Sequence, residues 1–135
     1  MSQENVEIVR GFFESWNRGE GGFGPELLDE GVVWDARGVE IGGEFDRIYY
    51  GRDGVAAAWR EWLPAWRDIE VELVWIKGTG DRVVAWLHQR QTGRRSGIPQ
   101  EWSYAWDVLF RDGKIVRMGF FRDEAEALDA VTLRE

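Results

Sequence analysis

Glu101–Arg122 reads EWSYAWDVLFRDGKIVRMGFFR, and this stretch decides the fold. Two alternating runs meet at Asp112-Gly113, a dipeptide suited to the tight primed turn of a β-hairpin. Side chains of a strand alternate between two faces. Trp102, Tyr104, Trp106, Val108 and Phe110 therefore share one face, and Ser103, Ala105, Asp107 and Leu109 share the other. The first face is almost wholly aromatic and apolar. The second is small and apolar around one carboxylate. A carboxylate in mid-strand is costly to desolvate unless it has a partner or a task. Asp107 is therefore the first candidate for a functional residue.

Upstream of the hairpin the pattern is first helical, then extended. Ser2 is a suitable N-cap for a helix running to about Arg18, with Val6, Val9, Phe13 and Trp16 at three- and four-residue steps and Ile8 and Phe12 widening the stripe. Gly19 and Gly21-Gly22 stop it. Pro25 suits the first turn of a short helix, Pro25–Asp29. Val32–Ala36 reads as a strand and Arg37–Tyr50 as a glycine-punctuated ribbon or loop. Asp53 is placed to cap a third helix with the stripe Val55, Ala58, Trp59, Trp62, Leu63 and Trp66, which Pro64 kinks or ends. Ile69–Ile76 and Arg82–Gln91 alternate as strands around a turn at Gly78–Gly80, and Thr92–Gln100 is a polar loop. After the hairpin, Asp123 and Glu126 form a capping-box pattern for a last helix, Glu124–Val131. Helices first, then antiparallel strands, then a small helix predicts an α+β domain spanning 1–135, with helices on one face of a curved sheet.

The totals narrow the function classes. A chain of 135 residues with 44% hydrophobic and 31% charged residues suits one globular domain. Nine Trp suit an aromatic-lined cavity or a subunit interface as well as a core. A net charge of −8 disfavours nucleic acid and anionic membrane as partners, since both need basic patches. The absence of Cys removes disulfides and thiolate chemistry, and a single His makes a metal site unexpected. No basic-then-apolar leader is present and no run approaches ~18 apolar residues, so a cytoplasmic location is expected. No Gly-rich loop opens a helix after a strand, so no nucleotide cofactor is expected.

The order of elements resembles the SnoaL-like branch of the nuclear transport factor 2-like superfamily over nearly the whole chain. The resemblance is carried by Trp16-Asn17-Arg18-Gly19 ending the first helix, the strand Val32-Val33-Trp34-Asp35, and Tyr50-Gly51-Arg52-Asp53-Gly54 opening the third helix. The Asp107–Ile115 hairpin and the Glu126-Ala127-Leu128 helix complete it. The resemblance implies a cone: a curved antiparallel sheet wrapped around the N-terminal helix, with two further helices and a short C-terminal one. It also implies a deep pocket and, in many members, a homodimer through the convex sheet face. The superfamily hosts isomerases, dehydratases, polyketide cyclases, epoxide hydrolases and proteins without known chemistry, so the fold does not choose among them. In members resembling ketosteroid isomerase, Asp35 falls on the position of the base and Asp107 on that of the acid. Phe12 falls where that family has an oxyanion Tyr and has no donor to offer. Trp59, whose indole N–H can donate, falls where that family has a second pocket Tyr.

Each candidate has two readings. Asp35 is either a pocket base with a pKa raised by apolar surroundings or a strand-end carboxylate bonded to a loop N–H. Asp107 is either a pocket acid beside Asp35, with one of the two holding its proton at neutral pH, or half of an ion pair with Arg90 or Arg122. His88 shares a strand face with Val84, Trp86 and Arg90. It is either a proton relay to Asp35, in partial likeness to the Asp–His pair of scytalone dehydratase, or a structural surface His. Arg90 and Arg122 either hold an anionic substrate group or are solvated rim charges. Family register turns Met118, Phe120 and Arg122 to the pocket.

The expected catalytic set is thus Asp35, Asp107 and His88. The expected pocket lining is Phe12, Trp16, Trp34, Trp59, Trp86, Met118 and Phe120, with Arg90 and Arg122 as substrate-binding charges. The function expected is a cofactor-independent acid/base enzyme of isomerase, dehydratase or cyclase type, acting on a small hydrophobic carbonyl or hydroxyl compound. The alternatives are a non-catalytic ligand-binding or dimerisation module and an epoxide hydrolase-like hydrolase. If Asp107 faces the pocket, alternation puts Trp102, Tyr104 and Trp106 on the convex face with Phe121 and Leu87. That stripe predicts a homodimer built sheet to sheet.

Overall fold

The Asp112-Gly113 turn carries positive φ at both residues, 52° and 77°, the backbone that joins two right-twisting strands in register. In a computed structural model that describes residues 2–19, 24–37 and 47–132, this turn joins β5 (Pro99–Arg111) to β6 (Lys114–Phe121). The other elements are α1 (Ser2–Asn17), β1 (Leu28–Asp35), β2 (Ile48–Tyr50), α2 (Gly51–Trp62), β3 (Trp66–Thr79), β4 (Arg82–Gly93) and α3 (Glu124–Val131). The six strands form one curved sheet in the order β2-β1-β6-β5-β4-β3, with the hairpin at its centre. Every pairing is antiparallel except β1 with β6, so the sheet is mixed. The fold is α+β. Among the described residues no helix is long and apolar enough to cross a membrane.

Several boundaries differ from the sequence reading for local reasons. Pro25–Leu27 is only a 3-10 turn, because Leu28 already enters β1 beside Ile115 of β6. Helix α2 starts at Gly51, whose φ of 74° turns the chain straight out of β2. Asp53 lies in the first helical turn, where its charge suits the helix dipole, and does not cap. Pro64 ends α2 in a 3-10 turn, so Trp66 begins β3 and leaves the helical stripe. Strands β4 and β5 extend into the expected polar loop, leaving 94–98 as the connection. Asp123 does cap α3, accepting from the Glu126 backbone N–H at 3.1 Å. Gly21-Gly22 and most of the ribbon expected over Arg37–Tyr50 lie outside the described residues.

Helices α1 and α2 cover one face of the sheet, here called inner. Its core joins Val9, Phe12 and Phe13 of α1 and Val55, Ala58 and Trp62 of α2 to the sheet. The sheet contributes Val32, Trp34, Val83, Ala85, Leu87, Tyr104, Trp106, Val108, Phe110 and Met118. The aromatic stripe of β5 thus points inward, and its small face with Asp107 points outward. This reverses the expected assignment. Burying Tyr104, Trp106, Val108 and Phe110 removes far more apolar surface from water than burying Ala105 and Leu109 around a carboxylate, and that difference sets the register.

Trp86, expected in the pocket, belongs to the outer face. There Val84, Trp86 and Ala105 pack against Ala127 and Val131 of α3, flanked by Trp75 and Phe121. The short last helix therefore covers the apolar part of the face that the sequence reading left bare. The expected interface stripe is corrected with it. Tyr104 and Trp106 are buried in the protomer, Leu87 is fully buried on the inner face, and Trp102 packs against the inner core.

Strand β3 is an edge of the sheet, and an open edge invites pairing with another chain. Asn17, the last residue of α1, occupies part of it. Its Nδ2 donates to the Val71 carbonyl at 2.6 Å, and its Oδ1 accepts from the Val71 N–H at 3.1 Å. One side chain thus pairs with the backbone as a neighbouring strand would. Asn17→Ala is expected to cost about 1–3 kcal/mol of unfolding free energy. It should also speed hydrogen exchange at the Val71 amide more than at the other β3 amides. Unchanged exchange at Val71 would show that the contact does not hold the edge.

Candidate functional site

Among the described residues the inner face has a cleft between the helices and the sheet. Phe12, Phe13 and Trp16 of α1 and Trp59 and Trp62 of α2 form one wall. Ile69 and Val71 of β3 and Gln89, Tyr104 and Trp106 of β4 and β5 form the other. The rings interlock. Trp106 lies 5.9 Å from Phe12 and 5.1 Å from Phe120, and Trp59 lies 5.5 Å from Trp16 and 5.2 Å from Trp34. Trp34, Met118 and Phe120 sit in the core on the same face. The open cavity is only ≈ 20 Å³, about the room of one water. Trp16, Trp59 and Ile69 are its partly exposed members and mark the mouth.

The polar content of this cleft is a chain of neutral groups. Trp106 Nε1 donates to the Tyr104 hydroxyl at 3.2 Å. Tyr104 donates to Gln89 Oε1 at 2.6 Å, and Gln89 Nε2 donates to Gln91 Oε1 at 2.7 Å. All four residues are buried. Burial pushes the Tyr104 phenol up, against a smaller opposing pull from the Trp106 N–H, so the phenol remains a donor and does not ionise. The sequence reading placed Tyr104 and Trp106 on the wrong face and passed over Gln89 and Gln91. A signal was present: Gln89 continues the face of Val83, Ala85 and Leu87, and an amide at the end of an apolar stripe must find partners inside.

Neither carboxylate enters the cleft. Asp107 lies on the outer face in a two-pronged pair with Arg82, Nε to Oδ1 at 2.7 Å and Nη2 to Oδ2 at 2.8 Å. The expected placement in the pocket is corrected, and so are the expected partners: Arg82 takes the place of Arg90 or Arg122. Register explains the choice, since Asp107 stands opposite Val84 on β4, two residues from Arg82.

Asp35 ends β1 on the same outer face. Its Oδ1 accepts from the Arg37 Nε at 2.9 Å, and its Oδ2 accepts from Arg37 Nη2 at 3.0 Å and Arg117 Nη2 at 3.2 Å. The hydrogen bond from the Arg37 side chain holds the Asp35 carboxyl below its ordinary value, against an opposing push from burial. The shift is thus opposite to the rise expected of a base in an apolar pocket. A depressed folded-state pKa contributes stability above the unfolded value of 3.8 and loses it as pH falls through the folded value. Thermal melts of the wild type and Asp35→Asn should therefore differ at neutral pH and converge well below pH 3.8. A gap that widens in acid would reverse the sign.

His88 also faces outward. Its Nδ1 is 3.0 Å from Ser103 Oγ, and its Nε2 is 3.4 Å from Glu101 Oε2. Strands β6 and β5 stand between His88 on β4 and Asp35 on β1, a separation of roughly 14 Å at ordinary strand spacing. The Asp35–Asp107–His88 set does not converge on one cavity. Arg90 is exposed and pairs with Glu70 at 3.0 Å, and Arg122 is exposed just beyond β6. Phe12, Trp16 and Trp59 are at the cleft; Arg90, Arg122 and Trp86 are not.

Three solved structures illustrate the likeness of the whole chain. A nuclear transport factor 2-like protein of unknown function from Burkholderia pseudomallei K96243 aligns with a TM-score of 0.75 and 20% identity, over 98% of this chain and 100% of that one. A candidate polyketide cyclase from Xanthomonas campestris pv. campestris aligns with a TM-score of 0.71 and 19% identity, over 97% and 98%. AclR, a candidate hydroxylase from Streptomyces galilaeus, aligns with a TM-score of 0.70 and 17% identity, over 97% of both chains. At such identities the likeness carries the fold and no activity. No curated protein matches the chain. Residues 9–118 match the model of the SnoaL-like domain, and with the α+β fold and its inner cleft in place, the chain belongs to that family.

Proposed function

We propose that the protein binds a small, flat, apolar compound carrying a carbonyl or hydroxyl group, held in the inner cleft by ring contacts and by one polar point at Tyr104. The observation that carries this reading is the composition of the cleft. Its lining is aromatic and aliphatic except for Gln89, the Tyr104 hydroxyl and the indole N–H groups, and among the described residues it includes no carboxylate, His, Lys or Arg. A few convergent polar groups in an apolar wall is the usual form of a small-molecule site. The ligand enters as Trp16 and Trp59 at the mouth swing aside, because the resting cavity is too small to hold it.

Of the functions the fold allows, ligand binding is favoured over carboxylate acid/base catalysis, since Asp35 and Asp107 face away and are ion-paired. A polarising role is left to Tyr104, whose protonated phenol can donate to a carbonyl oxygen but cannot act as a base near neutral pH. The test is titration with 1-tetralone and 1-tetralol, read by tryptophan emission and thermal melting. Quenching together with a raised Tm is the expected result, weakened by Tyr104→Phe. Neither signal moving up to about 1 mM of either compound would rule the cleft out as such a site.

A further inference from the structure

The hydrogen bonds behind the cleft give its polar point a direction. An indole N–H only donates, so Trp106 takes one lone pair of the Tyr104 oxygen at 3.2 Å. The Tyr104 hydrogen is committed to Gln89 Oε1 at 2.6 Å, the shorter of the two bonds. Among the described residues these are the side-chain bonds of the Tyr104 hydroxyl. They leave one lone pair of its oxygen for the cleft and no hydrogen. Gln89 is held in this sense by its own donor, Nε2 to Gln91 Oε1 at 2.7 Å. A half-turn of the Gln89 amide alone would set its oxygen against the Gln91 oxygen, two acceptors without a donor between them. Gln91 is engaged beyond this bond as well. The cleft thus meets a ligand at Tyr104 with an acceptor.

We propose that the cleft selects a flat hydroxyl compound, a phenol or aryl alcohol, over the matching ketone or ether. The ligand O–H donates to the Tyr104 oxygen, and Gln89 is the positioning residue that fixes this polarity. This rests on the cleft being the ligand site proposed above. A carbonyl can be met by Tyr104 only if the phenol hydrogen leaves Gln89 Oε1, and Gln89 is buried. The abandoned oxygen then has no donor, a loss equivalent to roughly tenfold in affinity. The remaining donors of the lining are the indole N–H groups and the second N–H of the Gln89 amide. They serve a hydroxyl oxygen as well as a carbonyl oxygen, so they do not separate the two classes.

The test compares dissociation constants within two pairs, each sharing a ring skeleton and differing in the O–H: 2-naphthol against 2-methoxynaphthalene, and 1-tetralol against 1-tetralone. Calorimetric titration of the wild type should give the hydroxyl member of each pair about tenfold tighter binding. This comparison needs no variant, so it decides the matter even where a substitution fails to fold. Gln89→Leu removes the acceptor of the phenol hydrogen and lets Tyr104 turn it to a carbonyl. Tetralone should then gain, and the gap between tetralol and tetralone should close to within about threefold. Tyr104→Phe should weaken tetralol about tenfold and tetralone by no more than about threefold. Equal binding within both pairs by the wild type, or tighter binding of the ketone and the ether, overturns the selection and leaves the cleft reading standing. A tenfold gap that persists in Gln89→Leu overturns it too, since Gln89 would not set the polarity. Failure of all four compounds to bind the wild type overturns the cleft reading and the selection with it.

Discussion

Trp106→Glu is expected to leave no cooperatively folded protein. Trp106 is buried on the inner face, 5.6 Å from Trp34 and 6.2 Å from Phe13, and its indole N–H begins the polar chain through Tyr104. Truncating a core Trp to Ala costs about 3–5 kcal/mol by itself. The carboxylate adds a desolvation cost, and the Tyr104 oxygen loses a donor. The sum is of the order of the whole stability of a small domain, about 5–15 kcal/mol. Circular dichroism on heating should show no sigmoidal transition for Trp106→Glu, whereas Trp106→Phe should melt cooperatively at a lower temperature. A folded Trp106→Glu protein with a wild-type melt would put this ring on the surface and revive the sheet-to-sheet interface.

Asp107→Asn is expected to lower stability by about 1–3 kcal/mol. Breaking a fully buried ion pair costs about 3–5 kcal/mol, and partial exposure reduces this through solvent screening. The Arg82 side chain is 34% exposed and that of Asp107 14%, which puts the pair between those limits. The neutral amide leaves the guanidinium without its charged partner, 5.8 Å over the Phe121 ring. The double change Arg82→Met with Asp107→Leu should recover most of the loss, because no charge is then left to desolvate. Urea midpoints at constant m-value give both numbers. An Asp107→Asn protein as stable as the wild type, or more so, would fit an unpaired acid in an apolar pocket and not this pair.

Most of the architecture was legible because it follows from short-range rules. Two residues tolerant of positive φ at Asp112-Gly113, alternation through Trp102–Phe110, the Gly19 stop and the Asp123 cap act over a few residues, and each is visible in the sequence. Alternation also showed that Asp107 and Trp106 must face opposite ways. Which of the two faces inward is decided by area buried against the helices. The family analogy, which seats an acid in the pocket, pointed the wrong way there, and the same inversion displaced Trp86 and the interface stripe.

The site was less legible, because its polar atoms become neighbours only across strands. Gln89 and Gln91 are two apart on β4, but their meaning depends on Tyr104, which lies 15 positions from Gln89. Likewise, the Asp107–Arg82 pair spans 25 positions and exists only because the β4–β5 register sets Asp107 opposite Val84. By itself the sequence determined the elements, their turns and the alternation of each strand, since these depend on local backbone sterics and period. The tertiary structure alone decided which face became the core, which carboxylates were paired with arginines, and that the few polar atoms of the apolar cleft are neutral groups. Those outcomes turn on burial and desolvation, which have no value until distant segments meet.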